Sequence, residues 1–75
     1  MSEHHLDAKR LLCPMPVIKT QNKVSELNVG DVLHVTCTDP GVLSDIPAWA
    51  RINGHEVISQ QENEDEIIIT VKVGS

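Results

Sequence analysis

From Glu66 to Val73 the chain alternates without a break. Ile67, Ile69, Val71 and Val73 fall on one side, and Ile68, Thr70 and Lys72 on the other. A period of two is the signature of a β-strand with one side turned to a core. Such a strand is not stable alone: it needs paired neighbours and a second layer over its apolar face. The remainder of a 75-residue chain has to supply both.

The other elements follow from punctuation. His5-Leu6-Asp7-Ala8 is a short strand candidate after a frayed opening, residues 1–4. Helical spacing begins at Pro14, with Val17, Val24 and Leu27 on one face, Ile18 beside them, and Lys19 and Lys23 outward. Asn28-Val29-Gly30-Asp31 closes that helix. Residues 32–37 read as a strand with Leu33, Val35 and Cys37 on one face. Asp39-Pro40 opens a second helix with Val42, Leu43, Ile46 and Ala50 as its buried stripe. Pro47 lies inside it, which predicts a kink or a restart capped by Ser44 or Asp45. Asn53-Gly54 ends it, residues 55–61 form a third strand, and Glu62-Asn63-Glu64-Asp65 is a polar turn.

The order is β-α-β-α-β-β in one domain spanning residues 1–75. It predicts an α/β fold of two layers, an α+β sandwich with two helices on one face of a four-stranded mixed sheet. A helical crossover makes the first two strands parallel, so both end at the same edge of the sheet. Open α/β sheets place their chemistry at that carboxyl edge.

Charge divides along the chain. Residues 1–30 hold four basic against three acidic side chains, for +1; residues 31–75 hold two against eight, for −6. An acidic chain with Trp49 as its only aromatic residue has no stacking surface for nucleic acid. A protein partner meeting the basic N-terminal half fits better, with Lys19 and Lys23 assisting docking. A monomer is expected. No apolar run reaches the roughly 20 residues of a membrane span, and no secretory segment is recognisable. The cytoplasm is the expected compartment.

Cys13 stands immediately before Pro14-Met15-Pro16. Proline suits the first turn of a helix, which puts Cys13 at the cap, where the helix dipole favours a thiolate. A lone cysteine is commonly a small buried hydrophobe. Here, however, two prolines remove two of the four amides that a cap would satisfy. Serine or aspartate would cap better than a thiol, a weak acceptor until ionised. A reactive sulfur is the favoured reading.

Leu6-Asp7, Leu11-x-Cys13-Pro14-x-Pro16-Val17, Asp39-Pro40 and Asp45-Ile46-Pro47 together resemble the TusA/SirA-type sulfur-carrier proteins. The resemblance spans nearly the whole chain. It implies a protein-to-protein sulfurtransferase in which Cys13 takes a persulfide sulfur from a donor such as a cysteine desulfurase and passes it to an acceptor protein. The sulfur is carried covalently, with no separate cofactor. Relatives serve tRNA 2-thiolation, molybdenum-cofactor maturation and sulfur oxidation. Pro14, Met15 and Pro16 shape the site. Apart from the resemblance, Lys9 is placed in sequence to support the anion, as is Arg10 if its side chain folds back; otherwise Arg10 meets solvent or a partner. Two departures stand out. Arg10 occupies a position where the family usually has glycine, and Met15 one where some relatives carry charge.

Two other readings remain. Cys13 is incidental in a non-catalytic regulatory or interaction module, or it forms a redox switch with Cys37. The alternation places Cys37 in the core with Leu33 and Val35, and no Cys-x-x-Cys motif is present. His4, His5, His34 and His55 lie at no ligand spacing, so no metal is expected.

Overall fold

A computed structural model describes residues 2–12 and 15–74. Six elements follow one another: β1 (Glu3–Ala8), α1 (Met15–Val24), β2 (Val32–Cys37), α2 (Val42–Ile52), β3 (Glu56–Asn63) and β4 (Glu66–Lys72). The β-α-β-α-β-β order is therefore present, in a four-stranded mixed sheet of strand order β1-β2-β4-β3.

β1 and β2 are parallel, in a register that sets Ala8 beside Cys37. β4 is antiparallel to both β2 and β3. The alternation from Ile67 to Val73 becomes an alternation of burial: Ile69 and Val71 are fully buried, and Ile67 and Val73 nearly so. They meet Leu33, Val35 and Cys37 of β2, Val24 of α1, and Val42, Ile46, Trp49 and Ala50 of α2 in one cluster. The opposite face of the sheet carries His5, His34, Thr36, Ser59, Gln61, Ile68 and Thr70 around a shallow depression.

Several boundaries differ from the sequence reading. Glu3 and His4 belong to β1 rather than to a frayed end. The Asp31 carboxylate accepts the Ser2 amide at 3.3 Å, and the Ser2 carbonyl accepts the Val32 amide at 2.8 Å, which ties the strand down from its start. α1 buries Pro16, Thr20 and Val24, while Val17 and, past the helix end at Val24, Leu27 are only partly covered. Thr20 escapes a hydrophobic count because its polarity is neutralised locally: its hydroxyl donates to the Pro16 carbonyl at 2.7 Å.

α2 does not restart at Pro47. It begins at Val42 after Gly41 and runs through Ser44, Asp45 and Pro47 to Ile52. A proline at the sixth helical position removes one amide, and the buried stripe on both sides of it holds the helix against the sheet. The Asp39 side chain accepts the Gly41 amide at 3.0 Å just ahead of the helix. Gly54, at φ 80°, follows the C-cap Asn53.

β3 is longer than expected. Glu62 pairs with Ile67 and Asn63 with Glu66, so the polar turn narrows to Glu64-Asp65. Backbone pairing takes precedence over side-chain polarity because β3 is an edge strand facing water. A register shift between Val57 and Ser59 leaves Ile58 unpaired and exposed. Val73 lies past β4 yet is buried, donating to the Asp31 carbonyl and accepting from Gly30, both at 2.8 Å.

Candidate functional site

The parallel pairing of β1 and β2 brings two loops to one edge: the one after Ala8 and the one after Cys37. Asp7 begins the first loop's fold, its carboxylate accepting the Lys9 amide at 2.9 Å. Arg10 then takes φ 66°, the one positive φ among the described non-glycine residues. Its amide donates to Thr38 Oγ1 at 2.9 Å, so the second loop supplies the acceptor that holds the first in place. Leu11 turns toward the core, while Leu12 is 74% exposed. The Met15 amide donates to the Leu12 carbonyl at 2.9 Å as α1 begins.

Cys13 and Pro14 lie outside the described residues. The described neighbours are apolar and open to solvent. With Leu12, Met15 (44% exposed) and Ile18 (42% exposed) form a run of large hydrophobic side chains that the core does not use. Pro16, by contrast, is buried and anchors the first turn of α1. Lys19 is exposed and Lys23 half-buried farther along the same helix.

The two basic residues before Cys13 take different roles. Lys9 Nζ lies 3.8 Å from Glu66 Oε2, at the tip of the β3–β4 hairpin. Arg10 lines a cleft of about 450 Å³ with Thr38, Pro40 and residues 62–67 of the hairpin tip. The sequence alone reads that tip as a solvated turn. Thr38 carries no signal in the sequence, because a threonine just past a strand looks alike in site and scaffold, and Pro40 reads only as part of the Asp39-Pro40 start of the second helix.

Cys37 is fully buried. Burial, and to a lesser degree the nearby Asp39 carboxylate, pushes its thiol up to about 11. Almost none of it is thiolate at neutral pH. The histidines are spread out. His34 sits between Thr70 Oγ1 (3.0 Å) and Glu3 Oε1 (2.8 Å) and stacks on His5, and His55 lies against Trp49. Among the described residues no group of three His, Cys, Asp or Glu side chains is arranged to hold a metal. No described helix is long and apolar enough to cross a membrane.

Residues 4–73 match the family model described as Sulfurtransferase TusA. YrkI of Bacillus subtilis (strain 168) is 37% identical over 73 residues, covering 97% of both chains. The sulfur carrier protein TusA of Allochromatium vinosum is 33% identical over 70 residues, 93% of this chain and 92% of that one. The sulfur carrier protein TusA of Pseudomonas paraeruginosa is 47% identical over 57 residues, 76% of this chain and 72% of that one. With a match across nearly its whole length, the chain belongs to the TusA sulfurtransferase family.

Proposed function

We propose that this protein is a sulfur carrier and that Cys13 is its carrying residue. The observation that carries the reading is the family match over residues 4–73, which encloses the Cys13-Pro14-Met15-Pro16 stretch. Relatives that cover most of the chain bear the name sulfur carrier protein. The apolar, exposed Leu12, Met15 and Ile18 support the reading further, since they border that stretch with a surface suited to a protein partner.

The chemistry is a balanced exchange. The Cys13 thiolate attacks the outer sulfur of a donor persulfide, R–S–SH. The donor S–S bond breaks, R–S⁻ leaves with the bonding pair, and Cys13–S–SH forms. An acceptor thiolate repeats the attack on the new outer sulfur and releases the Cys13 thiolate. One S–S bond is made for each one broken, so no external oxidant or reductant is required. A cysteine desulfurase fits as donor, because it generates an enzyme persulfide at a cysteine. Acceptors in tRNA 2-thiolation, molybdenum-cofactor maturation or sulfur oxidation fit the second half of the exchange. The carrier works on protein thiols in the cytoplasm, as a monomer, without contact with nucleic acid or membrane. Lys19 and Lys23 contribute to docking along α1.

Intact-mass spectrometry after incubation with a cysteine desulfurase and L-cysteine tests this. One added sulfur is expected, mapped to Cys13 after proteolysis. Equal sulfur uptake by Cys13→Ser overturns the assignment.

A further inference from the structure

Arg10 holds a backbone conformation that suits glycine, and the fold spends a specific contact, the Thr38 hydroxyl, on keeping it there. Residues kept in sparsely populated conformations concentrate where the side chain is needed. Among the described residues no carboxylate lies within ion-pair distance of the Arg10 guanidinium, although the cleft it lines includes Glu62, Glu64, Asp65 and Glu66. Lys9, its neighbour, does form such a pair with Glu66. Arg10 is thus an exposed arginine at the wall of a cleft of about 450 Å³, three residues before Cys13.

We infer that Arg10 is a specificity-determining residue, the group that recognises a carboxylate on the protein that delivers sulfur to Cys13. This rests on the carrier reading above. Charge decides the kind of occupant. A free anion approaching Arg10 also meets four acidic side chains of the hairpin, which repel it. A protein surface that sets one carboxylate beside a basic side chain satisfies both walls at once: the carboxylate takes the planar guanidinium fork, and the base faces the hairpin tip. Mixed charge of this kind rejects uniformly acidic and uniformly basic surfaces alike. Lysine is a poorer substitute for arginine here, because it offers a point charge rather than two parallel donors.

The test uses the full chain and two sulfur sources: a cysteine desulfurase charged with L-cysteine, and inorganic tetrasulfide. With the desulfurase, Arg10→Gly is expected to raise the KM for carrier about tenfold with kcat nearly unchanged, and Arg10→Lys to fall between. Glu64→Lys is expected to raise the same KM, and added salt to narrow the gap between parent and variants. With tetrasulfide all four proteins are expected to load at the same rate. Glycine suits φ 66°, so Arg10→Gly keeps the fold, which a melting curve verifies. An unchanged KM with the desulfurase overturns the inference. So does an equal loss with tetrasulfide, which would put Arg10 in the sulfur chemistry rather than in recognition. Absence of sulfur on Cys13 in the parent from either source is a different result, the failure of the carrier reading itself.

Discussion

The amide of Arg10 and the hydroxyl of Thr38, 28 residues apart, are joined by a 2.9 Å hydrogen bond across the carboxyl edge of the sheet. It links the ends of two parallel strands at the one positive φ among the described non-glycine residues. Thr38→Val removes the acceptor while keeping the shape, and is expected to cost about 1 kcal/mol in urea unfolding. Arg10→Gly relieves the positive φ and is expected to add about 0.5–1 kcal/mol. In the Arg10→Gly background the Thr38→Val cost is expected to shrink, since glycine needs no anchor to hold that turn. A double-mutant cycle measures the coupling.

Asp31 fastens the N-terminus of the sheet. Its carboxylate accepts the Asn28 amide at 3.0 Å and the Ser2 amide at 3.3 Å, with His4 at 3.7 Å. The Asn28 bond chiefly, with Ser2 and His4 adding, holds its pKa below the ordinary aspartate value despite partial burial. A depressed carboxylate stabilises the fold above the unfolded-state pKa, and that stability is lost as pH falls through the folded one. Asp31→Ala is expected to lower the urea midpoint at neutral pH and to flatten its decline in acid. Faster exchange of the Val32 amide, which bonds the Ser2 carbonyl, provides a local check.

Cys37 gives the opposite sign. Its raised pKa means that the folded state binds the thiol proton more tightly than the unfolded chain. The associated stability is complete at neutral pH and falls as pH rises from the ordinary thiol range through about 11. Cys37→Ala is expected to remove this alkaline contribution. Replacement by serine buries a hydroxyl in an apolar cluster and is expected to cost about 2 kcal/mol. Iodoacetamide labelling of native Cys13→Ser protein is expected to be slow at neutral pH and fast in denaturant. Rapid native labelling would contradict the burial of Cys37 and reopen a disulfide switch.

His55 and Trp49 provide an optical reporter. Their rings lie 5.0 Å apart, and His55 Nδ1 accepts the Gly74 amide at 3.1 Å, which requires a neutral ring with Nδ1 bare. Burial lowers the His55 pKa from its ordinary value. Stability from this group is full above the unfolded histidine pKa and is lost as pH falls toward the folded one. The sole tryptophan is expected to show a fluorescence step with a midpoint below the ordinary histidine range, absent in His55→Gln. A midpoint at or above that range would refute the half-buried, neutral ring.

The elements legible in the sequence were those whose signals are local. Alternation in β2 and β4 marked the buried faces, and Gly30 and Gly54 marked turns they do occupy, at φ 95° and 80°. The errors arose where a distant residue decides. Ser2 and Glu3 looked frayed because their fastening is Asp31 and β2, about 30 positions away. Pro47 suggested a break because the packing that holds α2 together lies in the sheet. Thr20 is the exception: its partner, the Pro16 carbonyl, is local, but a hydroxyl satisfied one turn back leaves no mark in a hydrophobic pattern. Cys13 was visible from two prolines and a surrounding motif, whereas the cleft near its segment was not. Thr38, Pro40 and the hairpin tip share no pattern until the sheet is assembled.

Strand order also sets when this edge can exist. β4, the last strand in the chain, is an inner strand between β2 and β3. As the polypeptide leaves the ribosome, β1 and β2 can meet early, but β2 lacks its second neighbour until residue 72 is made. A sheet with its late strand inside assembles through pairings distant in sequence, which is slow and leaves nascent edges open. The hairpin that walls the Arg10 cleft belongs to that late step. The cleft beside Arg10 is therefore complete only once β4 has been made.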